Sequence, residues 1–502
     1  METRQSRCLA GVARRDITPP VGIYHRMWGA ATHDRSTGIH RPLTATVLFL
    51  QRLPASGDTN SGYSLASARA SATPALDGAG DLKVMIAVDH CLMWTTEMNR
   101  LLDHVSTATG VARDALIVFF SHTHAAGLMG LERKELPGGD LIEPYLEELA
   151  LKIAGLVVEA RQNLVAATIV YGRGRCGLAT HRDYFDEAHG HYVCGFNPTG
   201  IADDTVVVGR VAREDNGVVL STIVNYACHP TTLAWDNTLI SPDFVGAMRD
   251  VVETATGAPC VFIQGASGDI GPREGFVGDT EVADRNGRQL GYAALATLES
   301  LPPAGQEFVY VGPVVSGATI GTWKYRREST ESSVRQSEWK SNTVIVPLKY
   351  RRDLPDRTEL DQERAKWQDD ERAAIAANDL ERSRHARAMI ERATRRLSRV
   401  ALLPLGDSYP YPVVVWRIGD AVWVALDGEH YNILQRALRE RFPGVPLIIG
   451  TLANGSKVWY LPDAESYGLG LYQEEVSVLE RGSLETVIET ASDAIRRLLM
   501  EQ

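Results

Sequence analysis

Two histidines that stand one residue apart follow a short apolar run. Residues 116–120 read Leu-Ile-Val-Phe-Phe and lead directly to His122 and His124. Such a pair can aim two imidazoles at one metal ion, but only if the chain turns, because alternate residues of a continuing strand face opposite ways. The small residues at 125–127 predict that turn. Alone, the pair is more often explained by two strand-end histidines bonded to nearby carbonyls.

Two further polar residues also follow predicted strands. His229 comes after the apolar residues 218–226 and is followed by Pro230, which restricts the chain in a turn. Glu429 follows residues 413–426, which alternate in polarity. Taken singly, His229 is typical of a structural histidine and Glu429 of a residue at a helix N-terminus. Neutral imidazoles together with a carboxylate suit zinc, and three protein ligands with one open position are typical of catalytic zinc.

The elements around these residues predict strands that alternate with helices. Short apolar runs at 43–50, 84–88, 116–120, 261–264 and 447–452 indicate buried strands, and several end in polar residues. Helical spacing of apolar residues appears at 143–161, 244–255 and 486–499. We therefore expect an α/β (mixed α+β) fold, one large catalytic domain over residues 1–502, with the site on strand-end loops.

Two segments depart from this pattern. Residues 54–80 are rich in Ser, Ala, Gly, Thr and Asp, which predicts a mobile surface loop. Residues 356–398 are dense in Arg, Glu, Asp and Ala, which predicts one or two long exposed helices with a solvated charged face.

Composition narrows the class of partner. Of the 502 residues, 44% are hydrophobic and 23% are charged, as expected for a globular chain that buries a large core. The net charge of −11 disfavours nucleic acid as a partner. The N-terminus lacks the apolar region of a secretory signal, and no apolar run is long enough to span a membrane, so a cytoplasmic protein is expected by default. The six cysteines are scattered without a CxxC pair, which predicts free thiols.

The order of the motifs resembles the neutral (non-lysosomal) ceramidase family. The resemblance begins at residues 10–18 and extends over almost the whole chain. The segments that match the family's motifs are 38–40, 121–127, 225–232, 241–243, 264–272, 428–429 and 454–472. The shared order of so many short motifs is what makes the resemblance specific to one family.

This resemblance implies a set of site residues. The family's zinc ligands match His122, His229, Glu429 and Tyr460, of which the tyrosine has no signal of its own in the sequence. His124 matches a histidine that contacts substrate or the metal's water. Arg182 and Tyr472 match groups near the scissile amide, where they can stabilise an oxyanion. The resemblance also implies that the substrate is a small-molecule or lipid-like amide or ester.

Three features depart from the family. Gly271 in the segment 268–272 replaces a serine regarded as essential in ceramidases. The chain ends before the family's C-terminal immunoglobulin-like domain could begin, and no signal peptide is visible. These departures lead us to expect a substrate other than ceramide.

The sequence therefore predicts a zinc-dependent hydrolase that cleaves an amide bond with a metal-activated water. Three alternatives remain at this point: a zinc-dependent esterase or lactonase on the same scaffold, a non-catalytic small-molecule or lipid-binding protein, and a serine hydrolase at Ser267. The last is disfavoured because residues 265–269 do not form a GxSxG elbow.

Overall fold

An eight-stranded mixed sheet forms the centre of the computed structural model, which describes residues 4–53 and 81–500. The predicted loop at 54–80 lies outside the described residues. Strands are numbered in chain order, and their spatial order in this sheet is β13 (Cys260–Gln264), β11 (Val219–Tyr226), β10 (Thr205–Arg213), β6 (Val165–Arg175), β1 (Gln5–Asp16), β3 (Thr44–Gln51), β4 (Leu82–Val88) and β5 (Leu116–Phe120). The pairs β11–β13 and β4–β5 at the two edges are parallel, and the inner pairs are antiparallel.

The two edges of this sheet come together at one end. Neighbouring strands of a sheet are rotated by about 20–25°, so the seven strand pairs of this sheet accumulate a rotation of nearly half a turn. The edge strands β5 and β13 run in opposite senses within the sheet, and this rotation makes them point the same way. A single segment bonds to both edges: Thr451 N donates to Gln264 O at 3.0 Å, and Asn454 N donates to Val118 O at 2.9 Å. The loops after β5, β11 and β13 therefore share one region.

A second, four-stranded sheet packs face to face on the first. Its order is β17 (Trp339–Lys349), β18 (Ser408–Ile418), β19 (Ala421–Leu426) and β21 (Leu447–Gly450). Leu48, Phe119 and Ile169 of the large sheet share one buried cluster with Trp416 and Trp423 of the small sheet. The parallel pair β19–β21 also ends at the shared region, so it delivers residues 427–429 there.

Helices cover the outer faces of both sheets. The ten α-helices are α1 (Thr95–Thr109), α2 (Ile142–Gln162), α3 (Phe244–Thr256), α4 (Thr280–Glu299), α5 (Thr330–Gln336), α6 (Arg357–Ala376), α7 (Leu380–Ala401), α8 (Ile433–Arg441), α9 (Tyr472–Val476) and α10 (Ser483–Met500) within the described part of the chain. Helices α1 and α2 pack on one half of the large sheet, and α3 and α4 pack on the other half. Helices α8 and α10 cover the small sheet, which completes a helix–sheet–sheet–helix arrangement.

Five two-stranded ladders complete the structure. They pair β2 (Gly38–Ile39) with β12 (Leu239–Ile240), β7 (Ala179–His181) with β14 (Ile270–Pro272), β8 (Asp183–Asp186) with β9 (His191–Cys194), β15 (Gln306–Ser316) with β16 (Ala318–Arg327), and β20 (Glu429–His430) with β22 (Tyr460–Leu461). The ladders β7–β14 and β20–β22 lie beside the shared loop region and fix the backbone of several candidate residues.

The expected mixed α/β fold is confirmed, with two differences in detail. Residues 413–426 are not one continuous run, because the chain reverses at Gly419, whose φ is +58°. The charged segment forms α6 and α7, but α7 is not wholly solvated, since Glu391 and Arg399 on its inner face are buried. All six cysteines are free thiols. No helix within residues 4–53 and 81–500 combines the length and apolar character needed to cross a bilayer.

Candidate metal centre

His122 stands where the chain turns sharply after β5. Its φ is +66°, a left-handed conformation that few residues other than glycine adopt, and its backbone N–H donates to His90 O at 2.9 Å. The strand therefore does not continue, and the rings of His122 and His124 lie with their centroids 4.9 Å apart. His122 Nδ1 lies 2.8 Å from Cys91 O, so this nitrogen carries the proton and leaves the Nε2 lone pair free.

His229 reaches the same point from β11, on the other half of the large sheet. Its backbone N–H donates to Ile270 O of β14 at 3.1 Å, and its Nδ1 donates to Ser267 O at 3.3 Å. This bond again leaves the Nε2 lone pair free. The predicted turn at Pro230 is followed by a short bond from Thr231 N to His229 O at 2.8 Å, which closes the loop around the histidine.

Glu429 and Tyr460 are positioned by one pair of short strands. Glu429 follows Gly428, whose φ is +92°, and its N–H donates to Trp459 O at 2.6 Å. In the parallel ladder β20–β22, Glu429 lies directly opposite Tyr460. Opposite residues of a ladder project to the same face, so this register brings the tyrosine to the carboxylate. The Tyr460 ring also lies nearly parallel to His229, with an interplanar angle of 8° and centroids 6.4 Å apart.

The ligand atoms converge on one point. His122 Nε2 lies 3.0 Å from His229 Nε2 and 3.2 Å from Glu429 Oε2, and His229 Nε2 lies 3.8 Å from the same carboxylate oxygen. Ligands at about 2.0–2.1 Å from a tetrahedral ion are separated by about 3.3 Å. Three lone-pair atoms facing one another at these distances therefore fit a divalent cation, and this His/Glu cluster can hold a metal ion.

Electrostatics support the same interpretation. All three side chains are buried. Burial, together with Arg182 and the other site histidines, keeps the pKa of His229 well below its ordinary value, so this imidazole is neutral and able to ligate. The pKa of the Glu429 carboxyl is lowered because His122 and Arg182 outweigh its burial. Cys91 and Glu429 in turn outweigh the burial of His122 and raise its pKa to about 10, so a metal ion that binds His122 Nε2 displaces a proton from it. A second possible grouping of Cys91, His122 and His124 would need His122 Nδ1, which is already engaged with a carbonyl.

The remaining predicted residues surround this cluster. His124 Nε2 lies 3.0 Å from His229 Nε2, and its ring packs against Trp28 with centroids 5.2 Å apart. Arg182 is buried and donates from Nη2 to Tyr460 Oη at 3.0 Å and to Gly268 O at 2.6 Å. Tyr472 is 45% exposed at the rim, with its ring 5.9 Å from that of Tyr460.

The positions of Gly271 and Ser267 bear on the departures seen in the sequence. A Cβ built on Gly271 would meet Thr231 Oγ1 at 3.5 Å, His229 Cβ at 3.9 Å and Arg182 Cδ at 4.0 Å. A side chain at this position would therefore contact residues around the cluster at ordinary van der Waals distances, without a clash at its Cβ. Ser267 Oγ accepts from the Gln264 amide at 2.6 Å, a partner that cannot act as the general base of a serine hydrolase.

The sequence does not predict the aromatic group that lies beside His124, which consists of Trp28, Trp235 and Phe276. Trp28 contacts Phe276 and Trp235 edge-on, with centroids 5.6 Å and 6.2 Å apart. Phe276 has a φ of +58°, which is unusual for a bulky residue. These three residues come from distant loops and share no motif, so only the folded chain brings them together.

Replacing Tyr460 with phenylalanine tests its role as a ligand. The ring remains packed on His229, so the fold should persist while the phenolic oxygen is lost. We expect the dissociation constant for zinc to rise about 10–100-fold, the scale found when groups supporting a metal are removed. Competition with a chromophoric chelator measures it. Tyr467→Phe is the matched control, because that hydroxyl bonds Leu479 O at 3.0 Å, away from the cluster. Equal zinc affinity in the two variants would exclude Tyr460 as a ligand.

Comparison with known proteins identifies the fold. No protein-family model matches the sequence, and a search of curated proteins finds no match. Two solved structures are similar: neutral ceramidase from Pseudomonas aeruginosa, with a TM-score of 0.60 and 14% identity over 98% of this chain and 74% of that one, and a ceramidase complexed with C2, with a TM-score of 0.62 and 14% identity over 98% and 75%. The resemblance found in the motifs is thereby confirmed at the level of the fold: this chain has the fold of the neutral ceramidases.

Proposed function

We propose that this protein is a zinc-dependent hydrolase that cleaves an amide bond. The observation that carries the proposal is the convergence of His122 Nε2, His229 Nε2 and Glu429 Oε2 within 3.0–3.8 Å of one another. Two nitrogen ligands and one carboxylate favour zinc over calcium or magnesium, which prefer oxygen. Tyr460 completes the set that the motifs imply. The ceramidase fold favours an amide as the scissile group.

Residues of this chain supply proton transfer and stabilisation of the oxyanion, while a metal ion would activate the water. A bound zinc ion lowers the pKa of its water to about 7 and polarises a carbonyl. Burial and the neighbouring His122 keep the pKa of His124 well below its ordinary value, so a neutral imidazole is available to accept a proton. Arg182, held at Tyr460 Oη, places a fixed positive charge where an oxyanion develops. Tyr472 is the candidate second donor from the rim.

Activity measurements on matched substrates test this proposal. The purified zinc-loaded protein is assayed against N-acyl amides and the corresponding esters that share each acyl group. We expect hydrolysis of at least one amide, without a burst of product, because a water attack forms no acyl-enzyme. Hydrolysis of esters alone would reassign the protein as an esterase. A burst equal to the enzyme concentration, with an adduct on Ser267, would overturn the mechanism.

Gly271→Ser tests whether the substrate differs from ceramide. The neighbours of the Cβ position lie at ordinary van der Waals distances, which predicts a folded, zinc-loaded variant. We expect turnover of the preferred substrate to be unchanged or lower, since the site is not built around that hydroxyl, and we expect weak or no ceramide hydrolysis by the wild type. Steady-state rates on both substrates are compared with Gly177→Ser, where the new side chain meets open surface. Rapid ceramide hydrolysis by the wild type would show that the serine is dispensable and that ceramide itself is a substrate.

A further inference from the structure

A buried arginine of α7 lies beside the metal cluster without a hydrogen-bonding partner. Arg399 is only 6% exposed, and its buried Nε has no hydrogen-bond partner within the two described ranges. Its guanidinium carbon lies 3.8 Å from the ring centroid of Trp459, and Trp459 also stacks on Trp94 with centroids 5.1 Å apart. Stacking orients the guanidinium and offsets part of its desolvation, but it satisfies none of its N–H donors.

The position of Arg399 ties it to the site. Trp459 immediately precedes Tyr460, and its carbonyl holds the backbone of Glu429. Burial lowers the pKa of Arg399 to about 10, while Tyr472 and Glu429 act in the opposite direction, so the side chain is charged at neutral pH.

A second arginine lies one helical turn earlier on the same face of α7. Arg395 donates from Nη2 to Met27 O, while its Nε is buried without a partner. Met27 immediately precedes Trp28, whose ring packs against His124, so Arg395 lies on the His124 side of the site. The buried Nε of Arg182 also lacks a partner. The guanidinium groups of Arg182, Arg395 and Arg399 therefore lie near the His/Glu cluster in a chain whose net charge is −11.

We propose that Arg399, assisted by Arg395, binds a carboxylate of the substrate, so that the substrates are acylated amino acids or similar anionic amides. This inference rests on the proposed amide hydrolase. A planar guanidinium binds a carboxylate through two parallel hydrogen bonds, and a bound anion supplies the partner that the fold leaves out. A neutral lipid amide would leave the buried charge unpaired, which disfavours it as a substrate.

Binding to the zinc-loaded protein tests the anion site without requiring catalysis. The probe is 4-oxopentanoate, in which a methylene replaces the amide N–H of N-acetylglycine, and the reference is its neutral carboxamide. By calorimetry we expect the acid to bind at least about tenfold more tightly than the carboxamide. Arg399→Met should abolish this preference and Arg399→Lys should keep part of it. Arg392→Met on the same helix, where the side chain pairs with Glu475 on the surface, should retain it fully. Equal affinities in the wild type, or a preference that survives Arg399→Met, would overturn the proposal.

Kinetics separate this inference from the proposed function. For N-acetyl amino acids against their carboxamides, the ratio of kcat/KM should favour the acids in the wild type and should fall at least about tenfold in Arg399→Met. Hydrolysis of neutral amides with no preference for acids would sustain the hydrolase and refute the anion site. Tight, Arg399-dependent binding of 4-oxopentanoate without hydrolysis of any amide would sustain the anion site and refute the hydrolase.

Discussion

His229→Ala is expected to strip zinc from the protein and to lower kcat/KM for amide hydrolysis by at least about 10²–10³-fold, the scale on which one preorganised electrostatic group contributes to catalysis. The substitution removes one of three lone-pair atoms that converge within 3.0–3.8 Å and leaves His122 and Glu429 without a shared partner. Metal analysis of the purified variant, together with steady-state kinetics, measures both effects.

The matched control for this substitution is His189→Ala. His189 lies on the surface, where it pairs with Asp186 at 2.7 Å, so its removal should change neither zinc content nor rate. A His229→Ala protein that keeps one zinc ion and full activity would show that the geometry of the cluster has another purpose.

Arg182→Met is expected to lower kcat/KM by about 10²–10³-fold while zinc remains bound. The methionine keeps most of the volume but removes the fixed charge and the bond to Tyr460 Oη. Because the charge acts on the developing oxyanion rather than on ground-state binding, the loss should fall mainly in kcat. Arg182→Lys should recover only part of the rate, since a point charge does not reproduce the planar fork.

Arg175→Met provides the control for Arg182. Its side chain is 84% exposed and makes only a 3.4 Å contact with Asp204, so no change in rate is expected. Loss of zinc from Arg182→Met would instead assign Arg182 to holding the metal ligands in place. Wild-type kcat with zinc retained would exclude a role in stabilising the oxyanion.

The strand-end positions of the candidate ligands were predictable because of a simple local pattern. His122, His229 and Glu429 each follow an apolar run, and the structure brings all three together. The apolar runs before these residues do not predict the sheet twist that brings the two distant edges together. That convergence depends on seven successive strand pairings, none of which is encoded near the histidines.

Tyr460 shows a limit of a different kind. Its sequence neighbours give no sign of a metal ligand, and its place at the cluster comes from the register of β20 with β22, where it lies opposite Glu429. Register between two-residue strands depends on the surrounding loops rather than on a hydrophobic pattern. Only the resemblance to a family pointed to this residue.

The inner face of α7 could not be read from its composition. Residues 380–401 are so rich in arginine that the helix resembles a solvated one, and the buried positions include Glu391 and Arg399 beside small apolar residues. Glu391 is satisfied by Tyr24 Oη at 2.6 Å and by Arg133, both from remote loops. Glu391 becomes a core residue because these tertiary partners meet it, which no local sequence signal reports.

Zinc reconstitution tests the central claim most directly. Protein treated with a chelator is titrated with zinc while hydrolysis of its best amide substrate is followed. Activity is expected to be absent at the start, to rise in proportion to zinc and to saturate at one ion per chain, and the same titration of His229→Ala is expected to restore no activity. Full activity in protein shown to hold no metal would contradict it.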